Sequence, residues 1–258
     1  MNRFMTFTLA AVVLSVGSAA SASLIVDTVI YADPLNGDGS TNLDGTSPAD
    51  RGGTGSVVWD AHSPYFKADG TIEAGTNSSA TGGAWLPFVP TAGNIYQLSA
   101  DVNTTGSSNT NQWNTLGFSS TGNTSDSFLD GGYATMMLRD DRTVASSVYT
   151  GVANAGGSGY VPPAAGVGEL AIVLDATDAN SANWTAEFFL DGTSLGAPAT
   201  VFSGDFGDIT HVGFSTLAKA AGTVADFQLA TMVIPEPATL ALLGLGGAVM
   251  LAGRRRRA

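Results

Sequence analysis

Residues 169–192 read Glu-Leu-Ala-Ile-Val-Leu-Asp-Ala-Thr-Asp-Ala-Asn-Ser-Ala-Asn-Trp-Thr-Ala-Glu-Phe-Phe-Leu-Asp-Gly. In the first part Leu170, Ile172 and Leu174 fall on alternate positions; in the second, Trp184, Ala186, Phe188 and Leu190 do the same. Successive side chains of a strand point to opposite faces, so a period of two predicts strands with one buried face each. Glu169–Asp175 and Trp184–Leu190 therefore read as neighbouring strands. Ala176–Asn183, rich in Asp, Asn and Ser, joins them, and Asp191-Gly192 ends the second in a turn.

The same pattern extends outward. In Ile95–Val102, Tyr96, Leu98, Ala100 and Val102 alternate with Gln97, Ser99 and Asp101. Trp113–Ser119 carries Leu116 and Phe118 in phase, and Tyr133–Arg139 carries Ala134, Met136 and Leu138. Further strands are expected at Leu24–Tyr31, Val57–Trp59, Val144–Tyr149, Ile209–Thr216 and Val224–Thr231, with a return strand starting at Leu195 or Val201. Ala84–Val89 reads as an edge segment, because Pro87 cannot donate to a ladder. Ala32–Gly55, His62–Gly83 and Asn154–Gly168 read as loops from their turn residues, with a tight turn at Asp69-Gly70. No stretch of the body shows a helical period. About ten to twelve short strands at this spacing predict an all-β fold of two packed antiparallel sheets.

The two ends differ from the body. Met1–Ala22 has Arg3, then the uncharged apolar run Phe4–Val16, then Ala20-Ser21-Ala22. That is the pattern of a secretory signal peptide cut after Ala22. At the other end Val233-Ile-Pro-Glu-Pro237 precedes the largely apolar Ala238–Gly253 and then Arg254, Arg255, Arg256 and Arg257. Pro235 and Pro237 stop the last strand. As a helix, Ala238–Gly253 rises about 24 Å, close enough to the roughly 30 Å hydrocarbon core to span it with local thinning. Four arginines favour the cytoplasmic side, which puts the body on the other. The organisation is thus 1–22 signal peptide, 23–232 β-sandwich and 233–258 tail.

This tail resembles the PEP-CTERM sorting signal of bacterial envelope proteins, at Pro235, Glu236, Pro237 and the cluster Arg254–Arg257. The resemblance implies recognition by a membrane exosortase, cleavage near the motif, and delivery to the cell surface or an exopolysaccharide matrix. It covers about a tenth of the chain and concerns the address alone. The closing strand order, Leu-Asp, then Trp-Thr-Ala-Glu-Phe-Phe-Leu-Asp-Gly, then a Gly-Phe strand and a final Asp-Phe-Gln-Leu, resembles the laminin-G and concanavalin-type jelly roll. Residues 25–232 also resemble uncharacterised domains joined to this tail, in Ala84–Phe88, Leu116–Phe118 and Met137–Arg139. These likenesses imply fold rather than chemistry.

Composition narrows the chemistry. Residues 23–234 hold five Lys and Arg against 21 Asp and Glu, a net charge of −16. Such a surface repels nucleic acid and anionic headgroups and is compatible with neutral polysaccharide or cations. With no cysteine and only His62 and His211, thiolate catalysis, disulfides and multi-histidine metal sites are excluded.

Glycoside hydrolysis needs two carboxyls about 5–9 Å apart. The body's only glutamates are Glu73, Glu169 and Glu187, none in a Glu-x-Asp-x-x-Glu strand motif; Glu187 and Asp191 are the nearest pair by spacing. There is no Gly-x-Ser-x-Gly for a serine hydrolase. Asp33, Asn36, Asp38, Asn42 and Asp44 crowd one loop and offer the oxygen ligands that suit calcium, although Thr41 stands where an EF-hand loop needs glycine. The competing reading is an acidic, solvated turn. For glycan binding the available aromatic platforms are Trp85 and Trp113, which flank loops; Trp59 and Trp184 complete the set, with Trp184 in phase with the core. The leading expectation is a non-enzymatic, surface-sorted β-sandwich. A lectin-like carbohydrate-binding module is the alternative, and glycoside hydrolysis is third.

Overall fold

The computed structural model describes residues 24–53, 55–63, 65–73, 81–104, 113–125, 132–139, 148–152, 159–160, 167–196, 199–200, 208–217 and 221–234. The expected signal peptide and the tail from Pro235 onward lie outside them. Val26–Val233 forms one compact unit.

The described strands are β1 (Ile25–Asp33), β2 (Asp60–Ala61), β3 (Thr71–Ile72), β4 (Thr81–Pro87), β5 (Asn94–Asn103), β6 (Trp113–Ser119), β7 (Gly132–Arg139), β8 (Val148–Val152), β9 (Gly159–Tyr160), β10 (Val167–Ala176), β11 (Thr185–Leu190), β12 (Thr193–Ser194), β13 (Ala199–Thr200), β14 (His211–Leu217) and β15 (Gly222–Val233). They form two antiparallel sheets. The first runs β1-β15-β5-β10-β11-β12, with β3 on β15 and β13 on β11; the second runs β2-β4-β14-β6-β7-β8-β9. The one helical turn among the described residues is Ser181–Asn183, where the Asn180 side chain accepts from the Ala182 N–H. No described helix is long and apolar enough to cross a membrane.

Register explains the core. In the first sheet Leu229, Leu98, Ile172 and Phe188 sit opposite one another across four strands. In the second, Leu86, Val212, Phe118 and Ala134 form one row, and Ala84, Phe214, Leu116 and Met136 the next. All twelve are buried and belong to one apolar cluster, so the alternation seen in the sequence is the face each sheet turns toward the other. A bulge in β15 between Ala225 and Gln228 puts Asp226 at φ 49° and turns Phe227 inward. Phe227 meets Trp59 edge-on at 5.0 Å, and Trp59 in turn packs on Phe214 at 5.3 Å.

Several expectations shift. Ala84–Val89 is not an edge: β4 lies between β2 and β14, and Pro87 ends it. The expected Val57–Trp59 strand is displaced: pairing with β4 starts at Asp60, while the Trp59 backbone bonds instead to Gly45 and Thr46. The return after β11 is two short pieces, β12 and β13, beginning at Thr193 rather than at Leu195; Val201 lies outside the described residues. The eighth strand starts at Val148, and Val144 also lies outside them. The segment Ala32–Gly55, read as a loop, also contributes Leu35 and Leu43 to the buried apolar cluster.

Candidate functional site

The outer face of the second sheet holds the residues proposed for ligand contact. Across it, Asp60, Trp85, Gly213, Gly117 and Thr135 form one row, and Pro87, His211 and Ser119 form the adjoining row. Trp85 points away from the inter-sheet core, since Ala84 and Leu86 point into it. Its ring lies flat along its own strand over Gly83, where a Cβ would overlap the ring atoms. Its Nε1 donates to the Asn123 carbonyl at 3.2 Å. Trp85 is fully buried and Trp113 is 2 % exposed, so neither offers the open ring face expected of a sugar platform. Alternation put only Trp184 in phase with the core; nothing local in the sequence showed that Trp85 and Trp113 are covered.

His211 lies on the same face, in the row beside Trp85. Its Nδ1 lies 2.8 Å from Thr210 Oγ1, and Gly122 packs directly against the ring. Burial lowers its pKa below the ordinary 6.5, while the Asp60 carboxylate pulls the other way. Burial wins, so the fold favours the neutral imidazole over the charged one. His62 stacks on Tyr65 at 4.8 Å.

The acidic loop is used locally. Asp33 accepts from the Leu35 N–H at 3.0 Å through Oδ1 and from Trp59 Nε1 at 2.8 Å through Oδ2. Asp38 accepts from the Ser40 N–H at 3.0 Å and the Ser40 hydroxyl at 2.8 Å, which hold its carboxyl below the usual range. The Asn42 oxygen takes the Lys67 ammonium at 3.1 Å, and its amide donates to Ser63. Asp44 accepts from the Ala61 N–H at 3.2 Å. Asn36 is exposed. Asp33 and Asp38 cap turns of their own segment, while Asp44 reaches across to β2, so the three carboxylates meet different partners. Among the described residues no group of three or more His, Asp or Glu side chains is placed to hold a metal ion.

The remaining acid pair is separated in role. Glu187 lies on the outer face of β11 and accepts from the Ser194 hydroxyl at 2.7 Å. Asp191, at φ 49° in the β11–β12 turn, accepts from the Glu169 N–H at 3.0 Å. Glu187 thus holds the return strand β12, and Asp191 ties the turn to β10. The sorting residues Pro235, Glu236, Pro237 and Arg254–Arg257 lie outside the described residues.

A family model described as the PEP-CTERM protein-sorting motif matches residues 233–257. The chain therefore carries a PEP-CTERM sorting motif, which implies an exported protein with a membrane-anchored precursor processed at the cell envelope. Its body is an all-β, two-sheet antiparallel sandwich, and its neighbours among solved structures include galectin-like sandwiches. One is a Bacillus subtilis protein of unknown function with a galectin-like fold, 11% identical over 82% of this chain and 99% of that one, with a TM-score of 0.47. Another is the Emp47p carbohydrate recognition domain, 12% identical over 84% of this chain and 99% of that one, with a TM-score of 0.46. A third is the alginate lyase Aly36B, 11% identical over 84% of this chain and all of that one, with a TM-score of 0.37. A search of curated proteins finds no match.

Proposed function

We propose that the chain is an exported, surface-sorted, non-catalytic β-sandwich protein of the bacterial envelope or exopolysaccharide matrix. The observation that carries the reading is the sorting motif at 233–257, which begins at the last residue of β15. The acidic sandwich is the cargo, and an exosortase-type enzyme is its processing partner. The non-catalytic part is supported by Glu187 and Asp191, whose carboxylates brace a turn.

The test is fractionation of cells making the full-length chain beside a Pro235→Ala, Glu236→Ala, Pro237→Ala variant. The expected result is a body outside the cytoplasm with its amino-terminal signal removed. Tail cleavage should be lost in the variant, which stays with the membrane. Intact chain in the cytosol, with both ends present, would overturn the reading. Hydrolysis of a β-glucan by the purified protein, abolished by Glu187→Gln, would overturn its non-catalytic part. The lectin-like alternative has less support, because the two tryptophans proposed as platforms are both buried.

A further inference from the structure

The first and last strands of the body lie side by side at one edge of the first sheet. Leu35, just beyond β1, lies against Gly70, which packs on the Val224 carbonyl near the start of β15. At the other end Thr231 Oγ1 donates to the Thr28 carbonyl and the Asp27 carboxylate, both at 3.4 Å. The strands therefore run antiparallel. Val26, where the folded body begins, and Val233, where it ends, come to the same corner, 207 positions apart in sequence.

That corner is apolar and open. Val26 is 50% exposed and Val233 is 39% exposed, and the residues beyond them, Ile25 and Ile234, are exposed as well. The other exposed large hydrophobics among the described residues, Val58, Val89 and Val167, are spread singly along the chain. Exposed apolar residues that gather in one place mark contact surfaces. As the terminal strand of its sheet, β1 also has an outward row of N–H and C=O groups, bridged at Ala32 by Asp50.

Chain length and charge choose the occupant. Pro235 follows Val233 by two residues, about 7 Å of extended chain. A protein that closes on Pro-Glu-Pro is thus brought within reach of Val233 and of Val26 beside it. A lipid surface fits poorly: neither strand carries Lys or Arg, Asp27 is exposed at the corner, and the body's charge of −16 repels anionic headgroups.

We infer that the corner formed by Val26 and Val233 is a docking surface for the membrane-bound sorting enzyme, which reads the folded body as well as the tail. The inference rests on the export reading above. It makes folding a condition of efficient processing, because Val26 reaches this corner only when β1 has paired with β15.

Val26 lies outside the matched motif, so it separates recognition of the body from recognition of the tail. A photoreactive benzoylphenylalanine is placed at position 26, or at position 89 as a control, in full-length chain made beside the sorting enzyme. The expected result is an adduct with the enzyme from position 26 and none from position 89. In parallel, Val26→Glu slows tail removal roughly five-fold, the loss expected from a half-exposed valine taken out of an interface, while Val89→Glu does not. An adduct from position 26 with lipid alone, or processing of Val26→Glu at the wild-type rate, overturns the proposal. Should Val26→Glu fold poorly by circular dichroism, the crosslink at position 26 decides. Retention of the amino-terminal signal in wild-type chain would instead sink the export reading, and the docking surface with it.

Discussion

Trp59 Nε1 donates to the Asp33 carboxylate at 2.8 Å, joining the end of β1 to a fully buried indole in the middle of the core. The bond explains why the first acid of the candidate calcium loop sits where it does. Its second oxygen takes the Leu35 N–H, so the carboxylate fixes both the indole and the entry into the loop.

Asp33→Ala leaves a buried indole N–H unpaired and should cost about 1–3 kcal/mol, whereas Asp33→Asn, which keeps an acceptor, should cost less. Urea unfolding followed by tryptophan fluorescence measures both. Because Asp33, Asp38 and Asp44 already accept hydrogen bonds from protein donors, millimolar calcium should leave the wild-type unfolding midpoint where it was. A calcium-dependent rise that Asp33→Asn abolishes would restore the loop as a metal site.

Trp85→Ala should act on stability before it acts on any ligand. Removing a fully buried tryptophan costs about 3–5 kcal/mol. The expected result is a large fall in the denaturation midpoint, with Trp113→Ala behaving alike. A variant that kept the wild-type midpoint but lost binding on a glycan array would revive the ring as a sugar platform.

Gly70 has φ 76°, and a Cβ there would run into the Val224 carbonyl oxygen. Its own carbonyl accepts from the Val224 N–H at 2.9 Å, which draws the two backbones together. Gly70→Ala should therefore destabilise by more than about 1 kcal/mol, the usual scale for alanine forced into a left-handed turn. Gly45→Ala, at φ 75° with open space around it, isolates the strain from the clash and should cost less in the same thermal melts.

His211 predicts a pH dependence with a definite sign. Its pKa in the folded protein lies below the ordinary 6.5, so at mildly acid pH the unfolded chain binds more protons there than the folded one. Stability then rises with pH through this window and falls as the solution is acidified below the unfolded value. The Tm of wild type should drop between about pH 7.5 and 5 more steeply than that of His211→Gln. Parallel curves would refute the burial of this imidazole as the cause. Asp38 and Asp178, both lowered chiefly by backbone N–H donors, act in a separate window near and below their ordinary 3.8.

Strands with one wet and one dry face were legible because alternation is written into neighbouring residues. Ile95–Val102 grows by one residue at each end, whereas Trp113–Ser119 keeps the bounds read from sequence but is buried on both faces, so its expected wet face is absent. The short pieces β2, β3, β12 and β13 have two residues each, too few to alternate, and exist only because a longer strand lies alongside. The position of Ala84–Val89 was misread for a related reason. Pro87 suggests an edge locally, but β4 needs only residues 81–87 to pair on both sides, and the proline falls at its end.

Burial on the outer face was the least legible feature. Trp85 has the parity of a surface residue and is fully buried, because Gly83 leaves room for its ring and Asn123, 38 residues away, accepts its N–H. The acidic loop looked like a ligand set because its oxygens are close in sequence; in space each meets a different donor.

By itself the sequence determined the address and the class of fold. A sorting motif is read by its partner as a linear string, and a period of two needs only adjacent residues to define a face. Tertiary structure alone decided which carboxylates and indoles are spent on packing, and that Val26 and Val233 share a corner. Both depend on contacts between residues far apart in the chain, set by the pairing of whole strands, and no local pattern encodes them.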